Sequence, residues 1–129
     1  MMIRRALPFL LLLVSTPAHA GASHLLVAGE NFVQADILDA RAQPELDGTS
    51  SIRITFNEAA AKRIAIVTEG LVGKPAHVAL DEQPVADPIV REPIRDGVLQ
   101  LSGAWLLPDA EALAKKISGK DPLPDSLEE

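Results

Sequence analysis

Two prolines interrupt residues 85–94, a segment otherwise composed like an extended strand. Proline has no N–H group to donate to a neighbouring strand, so Pro88 and Pro93 exclude this segment from the interior of a sheet. We therefore predict that it forms an edge strand or a bulged crossing with part of its backbone unpaired. Any sheet in this chain must place residues 85–94 at its border.

Alternation of polar and apolar residues marks the other strands. Residues 51–56 alternate with the period of two that a half-buried strand needs. Residues 32–40 are typical of an edge strand, and we expect these two strands to form a hairpin. Shorter strands are predicted at residues 76–80 and 98–101, the second of them closed by Gly103.

Two helices are predicted from their end signals. Asn57 is a good N-cap for a helix at residues 58–69, and Gly119 ends a second helix that has Pro108 in its first turn. The apolar stripes are Ala60, Ile64, Val67 and Leu71 in the first helix, with Lys62, Arg63 and Glu69 left exposed, and Ala110, Leu113, Ala114 and Ile117 in the second. The expected fold is α+β, with a small, mostly antiparallel sheet that carries two helices on one face.

The first twenty residues are typical of a secretory signal peptide. A basic start is followed by a short apolar run and by the small-residue exit Ala18-His19-Ala20, which places the cleavage after Ala20. The alternative is an uncleaved anchor, but the apolar run is shorter than the ~20 residues that span a bilayer. We expect an exported domain at residues 21–119, periplasmic or secreted and without a membrane span, and a flexible acidic tail at residues 120–129.

Composition restricts the partners of this domain. The chain has no cysteine, so an exported domain would be held together without disulfides. Its formal net charge is −6, and removal of Arg4 and Arg5 with the leader makes it more negative. A surface of this charge repels phosphate backbones, so nucleic acid is not expected as a partner.

The residues that could carry chemistry do not form a recognised pattern. His24 and His77 have no convergent ligand spacing, and a calcium ion at Asp81, Glu82 and Asp87 would lack the EF-hand pattern. Ser102 lies outside the G-x-S-x-G elbow of hydrolases. We therefore expect no metal, no cofactor and no catalytic residues.

Several short motifs recur in a fixed order between residues 54 and 119. They are Ala61-Lys62-Arg63-Ile64-Ala65, Val72-Gly73-Lys74, Leu80-Asp81, Glu92-Pro93-Ile94 and Leu101-Ser102-Gly103. In this order and spacing the chain resembles the head subdomain of SecD and of the fused SecDF translocation proteins. That head belongs to the first large periplasmic region of these proteins, so the resemblance implies a role in protein export.

Two departures from the family pattern affect local structure. The family's L-D-G hairpin has Glu82 in place of glycine, from which we expect a turn of a different type. The threonine that caps the last helix in the family is replaced by Leu106, which has no side-chain oxygen to accept a helix N–H. The family's membrane segments, which are implied in proton-driven export, have no counterpart in these 129 residues.

The resemblance implies a non-enzymatic domain that contacts polypeptides as they emerge in the periplasm, with the Sec export machinery as a possible partner. We expect an extended chain to bind the open face of the sheet or, by strand addition, the proline-marked edge at residues 85–94. The candidate contact residues are Val85, Ile89, Arg91, Glu92 and Trp105. For Trp105 we expect first of all that it covers the open end of the core, and contact with a partner is the alternative. The alternative function is a structural or regulatory envelope protein that binds one folded partner.

Overall fold

The computed structural model describes residues 23–124 of the chain. The predicted leader and residues 125–129 lie outside these described residues. The elements follow one another as β1 (His24–Val27), β2 (Glu30–Val33), a short 3₁₀ helix (Gln34–Asp36), β3 (Ile37–Pro44), β4 (Ser50–Phe56), α1 (Glu58–Glu69), β5 (Val78–Leu80), β6 (Gln83–Ala86), β7 (Val98–Trp105) and α2 (Leu107–Ser118).

The strands form two antiparallel sheets, where the sequence predicted a single one. One sheet has the order β2-β1-β5-β6 and the other the order β3-β4-β7. The α+β class and the antiparallel pairing are confirmed, and so is the hairpin between β3 and β4. Packing of both helices on one face of one sheet is not confirmed. Helix α2 lies against β3 and β4, and α1 also contacts β4, while Arg63 of α1 reaches β2 in the other sheet.

The predicted strand at residues 32–40 is divided between the two sheets by the 3₁₀ helix. The carboxylate of Asp36 accepts the N–H of Val33 at 2.9 Å. Asn57 donates its backbone N–H to the Asp36 carbonyl at 2.8 Å and its side-chain amide to the Ala35 carbonyl at 3.2 Å. These bonds satisfy the backbone of a turn, so the chain leaves one sheet at Val33 and enters the other at Ile37.

Helix α1 has the predicted ends but not all of the predicted buried face. The side chain of Asn57 accepts the N–H of Ala60 at 2.8 Å, as expected of an N-cap. Ala60 and Ile64 are buried, but the third fully buried position is Thr68. Arg63, predicted to be exposed, is only 39% exposed and bonds to Glu30. The buried face of α1 differs from the predicted apolar stripe because the helix contacts polar backbone groups as well as the apolar core.

The last strand is longer than predicted. It continues through Gly103 to Trp105, whereas the sequence predicted an end at Gly103. The ring of Trp105 lies over this glycine so closely that a Cβ there would come within 2.7 Å of a ring carbon. Gly103 therefore makes room for Trp105, and this is why a residue typical of turns is found inside a strand.

The two departures from the family pattern, at Glu82 and Leu106, have different structural consequences. Asp81 and Glu82 connect β5 to β6 as a two-residue turn, and both have positive φ, at 51° and 72°. This is the arrangement that Asp-Gly favours, so Glu82 occupies a conformation suited to glycine, and the expected difference in turn type from the family stays a prediction. Leu106 caps α2 without any side-chain hydrogen bond, as predicted, while Gly119 ends the helix with φ of 79°.

Both α-helices of the described region are twelve residues long. Between residues 23 and 124 there is no helix with the length and apolar character needed to cross a membrane.

Candidate functional site

The two sheets of the described region end in four edge strands, and these differ in how they are covered. At the β2 edge, Arg63 donates to the backbone carbonyl of Asn31 and to the Glu30 carboxylate at 2.9 Å. The guanidinium group therefore covers part of this edge. Charged residues that cover an edge prevent it from pairing with another chain.

Strand β7 pairs only with β4 among the described strands, so its opposite side has no strand neighbour. The N–H of Phe56 donates to the Gly97 carbonyl at 2.9 Å, which makes these two residues a hydrogen-bonded pair. Because such pairs alternate along an antiparallel ladder, the backbone groups of Val98 and Gln100 point away from β4. The Val98 N–H is used by the Asp96 carboxylate at 3.1 Å. Gln100 presents both its N–H and its C=O at the open side.

The segment after β6 runs close to this open side and is held there by backbone hydrogen bonds. The N–H of Val90 donates to the Lys74 carbonyl at 2.9 Å, and the Val90 carbonyl accepts the N–H of Gly73 at 2.7 Å. The side chain of Val90 is buried. At the far end of the segment, the hydroxyl of Thr68 accepts the N–H of Ile94 at 2.9 Å. This hydrogen bond is the reason why a polar residue, Thr68, is found on the buried face of α1.

Between this segment and β7 lies a groove with a volume of about 230 Å³. Ile89 contributes an exposed apolar side chain, with 55% of its surface accessible. Arg91 and Glu92 are exposed on the same wall, and Val98 and Gln100 form part of the opposite wall. An extended peptide in this groove would meet an apolar surface, two opposite charges and the unpaired backbone of Gln100.

The structure brings together three of the five predicted contact residues. Ile89, Arg91 and Glu92 line the groove. Val85 is half-buried in β6 and Trp105 is half-buried at the far end of β7, and neither is among the residues that line it. Trp105 packs against the core, as expected of a residue that covers one end of it.

Sequence reasoning missed the residues of the second wall. Val98 and Gln100 come from the predicted last strand, but their importance depends on which side of that strand is free. Which side of a strand is free is decided by the order of the strands in the sheet. The local pattern of β7 carries no signal of which side has a strand neighbour.

The residues considered for metal binding and catalysis have other partners. Nδ1 of His77 lies 2.6 Å from the Asp87 carboxylate, on the surface. Asp81 accepts the backbone N–H of His24 at 3.0 Å, and this bond holds the pKa of Asp81 below its ordinary value. Within residues 23–124 there is no cluster of three or more histidine or acidic side chains that could hold a metal ion.

Comparison with known proteins gives one consistent result. The family model for the SecDF P1 head subdomain matches residues 14–120. The protein translocase subunit SecD of Acidaminococcus fermentans is 34% identical over 79 residues, which are 61% of this chain and 19% of that protein. SecDF of Thermus thermophilus is 31% identical over 91 residues, which are 70% of this chain and 12% of that protein. The chain therefore spans less than a fifth of the length of these relatives.

Solved structures agree with the sequence comparisons. A structure of SecDF, described as a membrane component that enhances protein export, superposes with a TM-score of 0.62 at 27% identity and covers 70% of this chain and 41% of that chain. SecDF in its super-membrane-facing form gives the same TM-score and identity over 12% of its own chain. On these matches, and above all on the family model, the chain belongs to the SecDF P1 head subdomain family.

Proposed function

We propose that this protein is a non-enzymatic, exported domain that binds extended polypeptides at the open side of β7. The observation that carries the proposal is the unpaired backbone of Gln100 beside the groove formed by the segment at residues 88–94. A peptide added to an exposed sheet edge gains main-chain hydrogen bonds whatever its sequence. This kind of recognition suits a domain that meets many different unfolded chains.

The groove provides the second part of the binding free energy. Ile89 is exposed, and Ile94 and Val98 line the same groove as partly buried apolar residues. Covering this surface with an apolar side chain of the peptide contributes about 25 cal/mol for each Å² removed from water. We propose that Arg91 and Glu92 contact the polar groups of the peptide beside this apolar surface. Val85 and Trp105 remain candidate contacts at the two ends of this region.

The proposed location follows from the leader and the relatives. Cleavage after Ala20 releases the domain into the periplasm or the medium, where it meets polypeptides after translocation. The relatives that it matches are named as subunits of the protein translocase, which supports a task beside the Sec export machinery. We propose no catalytic residue, metal or cofactor for this task.

The test is a titration of the purified, isotope-labelled protein with an unfolded secretory peptide of about ten residues, long enough to form one strand. Backbone amide shifts are followed by NMR. We expect saturable shifts at Val98 and Gln100 and none at Ile66, an exposed apolar residue of α1. Absence of shifts at β7 would contradict the proposal. Crosslinking in cells distinguishes the proposed function from the alternative function. A single stoichiometric folded partner would indicate a structural or regulatory protein, whereas crosslinks to many exported proteins would indicate the proposed function.

A further inference from the structure

The chain already binds a piece of extended backbone at another edge strand, β3. After α2, the chain returns to this strand and Leu123 is held through its main chain. Its N–H donates to the Asp39 carboxylate at 2.8 Å, and its carbonyl accepts from the Arg41 guanidinium at 2.8 Å. Asp39 and Arg41 are themselves joined by a hydrogen bond of 2.7 Å. One residue of peptide backbone is thus recognised at both its donor and its acceptor.

The side chain of Leu123 makes neither of these two hydrogen bonds. It is 45% exposed, whereas Asp39, which binds the backbone, is 7% exposed. A buried carboxylate is costly unless it is paired and hydrogen-bonded, so Asp39 is suited to hold an N–H firmly. Both hydrogen bonds to Leu123 are made to its backbone, so another residue with an N–H can make the same two bonds.

The segment is held in an extended form by its own sequence. Pro122 and Pro124 flank Leu123, and a residue that precedes proline is restricted to extended conformations. Neither proline has an N–H, so Leu123 is the only donor between them. The segment therefore presents one backbone N–H and one C=O in a preset geometry, at little cost in conformational entropy.

A groove continues from this contact between β3 and α2. It has a volume of about 430 Å³, and its walls include Arg41, Ala42, Ala114 and Lys115, with Asp121 and Pro122 of the chain's own segment. Ala42 belongs to the edge strand and Ala114 to the buried face of α2. The space beside Leu123 can thus accept more of an extended chain than the described segment fills.

We propose that the edge of β3 is a second binding surface for extended polypeptide, in which Asp39 and Arg41 hold the main chain of one residue, and that residues 121–124 occupy it until a partner replaces them. This inference rests on the proposed function for the class of ligand, but it concerns a different edge strand. Two hydrogen bonds to a half-exposed residue form a contact that a longer chain can replace.

The test compares two substitutions at Leu123 in the otherwise intact protein. Leu123→Pro removes the N–H that Asp39 accepts, whereas Leu123→Ala keeps it and changes only the side chain. Each protein is titrated with the same unfolded secretory peptide, and amide shifts are read at Arg41 and Ala42 for β3 and at Val98 and Gln100 for β7. Loss of a hydrogen bond to a charged group corresponds to a change of about tenfold or more in the equilibrium constant for docking of the segment on β3.

We expect the Leu123→Pro protein to bind the peptide at β3 at least about tenfold more tightly than the wild type does, since its own segment competes less. The Leu123→Ala protein should resemble the wild type, and Arg41→Ala combined with Leu123→Pro should abolish the shifts at Ala42. Shifts at β7 without any at β3 in the Leu123→Pro protein would overturn the second surface and leave the proposed function standing. Absence of shifts at both strands would overturn both.

Discussion

The guanidinium carbon of Arg63 lies 4.4 Å from the centre of the Phe32 ring. The same side chain bonds to Glu30 at 2.9 Å and to the carbonyl of Asn31, and it lies 3.5 Å from the Asp36 carboxylate. Phe32 is fully buried and its ring centre is 5.0 Å from that of Phe56. One basic residue of α1 therefore joins the helix to the edge of β2 and to the aromatic centre of the core.

Replacing Arg63 with alanine should destabilise the fold. A cation–π contact at a partly exposed site and hydrogen bonds to a charged group together predict a loss of about 1–3 kcal/mol in the free energy of unfolding. Lys62 is the matched control, because it precedes Arg63 in the same helix and is exposed. Denaturant titration of Arg63→Ala and Lys62→Ala measures both losses. Equal losses in the two variants would contradict the role of Arg63.

Replacing Glu82 with glycine should stabilise the protein. Glu82 has φ of 72°, a conformation that costs a residue with a side chain about 1–2 kcal/mol, whereas glycine adopts it readily. The unfolded chain gains entropy with glycine, which offsets about 0.4–1 kcal/mol. The expected net gain is about 0.5–1 kcal/mol. The control is Gln83→Gly in strand β6, which should destabilise, and a thermal melt in which both glycines lower the midpoint would show that Glu82 is unstrained.

A capping residue at position 106 should stabilise α2. Leu106 is the N-cap, is 65% exposed and offers no oxygen to the helix N–H groups. Leu106→Thr supplies that oxygen and should raise the free energy of unfolding by about 0.5–1 kcal/mol. Leu107→Thr places the same side chain one residue later, inside the helix, and should give no gain. Chemical denaturation of the two variants compares them directly, and an equal effect would rule out capping as the cause.

Acid should release Leu123 from β3. Burial raises the pKa of Asp39, but the hydrogen bonds from Arg41 and from the Leu123 N–H, together with the positive charges of Arg41 and Arg53, outweigh burial and leave the pKa below its ordinary 3.8. Because the folded pKa is depressed, this carboxylate stabilises the contact above pH 3.8, and the contribution is lost as the pH falls through the lower folded pKa. The Leu123 amide shift, followed by NMR, should move to its released value in that acidic range. In the Asp39→Asn protein this pH-dependent change of the Leu123 amide shift should be absent. An unchanged pH dependence in that protein would show that another group causes it.

Features encoded by neighbouring residues could be predicted from the sequence. Asn57 and Gly119 place the start of α1 and the end of α2, because capping depends on the few residues around each helix end. Pro88 and Pro93 place their segment at a border for an equally local reason. Ile89, Arg91 and Glu92 line one groove because they follow one another along that segment.

Features that depend on distant parts of the chain could not be predicted in this way. The division of residues 32–40 requires Asn57 to bond to the turn before β3. The partly buried Arg63 and the buried Thr68 depend on β2 and on Ile94, which are separated from α1 in sequence. Gln100 faces an open side only because of the order of the strands. These are tertiary relationships, and local pattern does not specify them.

Binding by strand addition at β7 can be tested most directly through Gln100. Its backbone N–H points to the open side, so Gln100→Pro removes a donor for the peptide without removing a backbone hydrogen bond to β4, as edge strands allow. Gln100→Ala is the matched control, because both variants lose the 3.2 Å bond from the Gln100 amide to the Ser51 hydroxyl but only the alanine keeps the backbone N–H. The measurement is the dissociation constant of the unfolded secretory peptide for each protein. Ile89→Asp, which charges the groove wall, provides a second variant that leaves the strand backbone unchanged.

We predict that Gln100→Pro and Ile89→Asp each weaken peptide binding by about tenfold or more, while Gln100→Ala binds like the wild type. Equal affinities for the wild type, Gln100→Pro and Ile89→Asp would contradict polypeptide binding at the edge of β7.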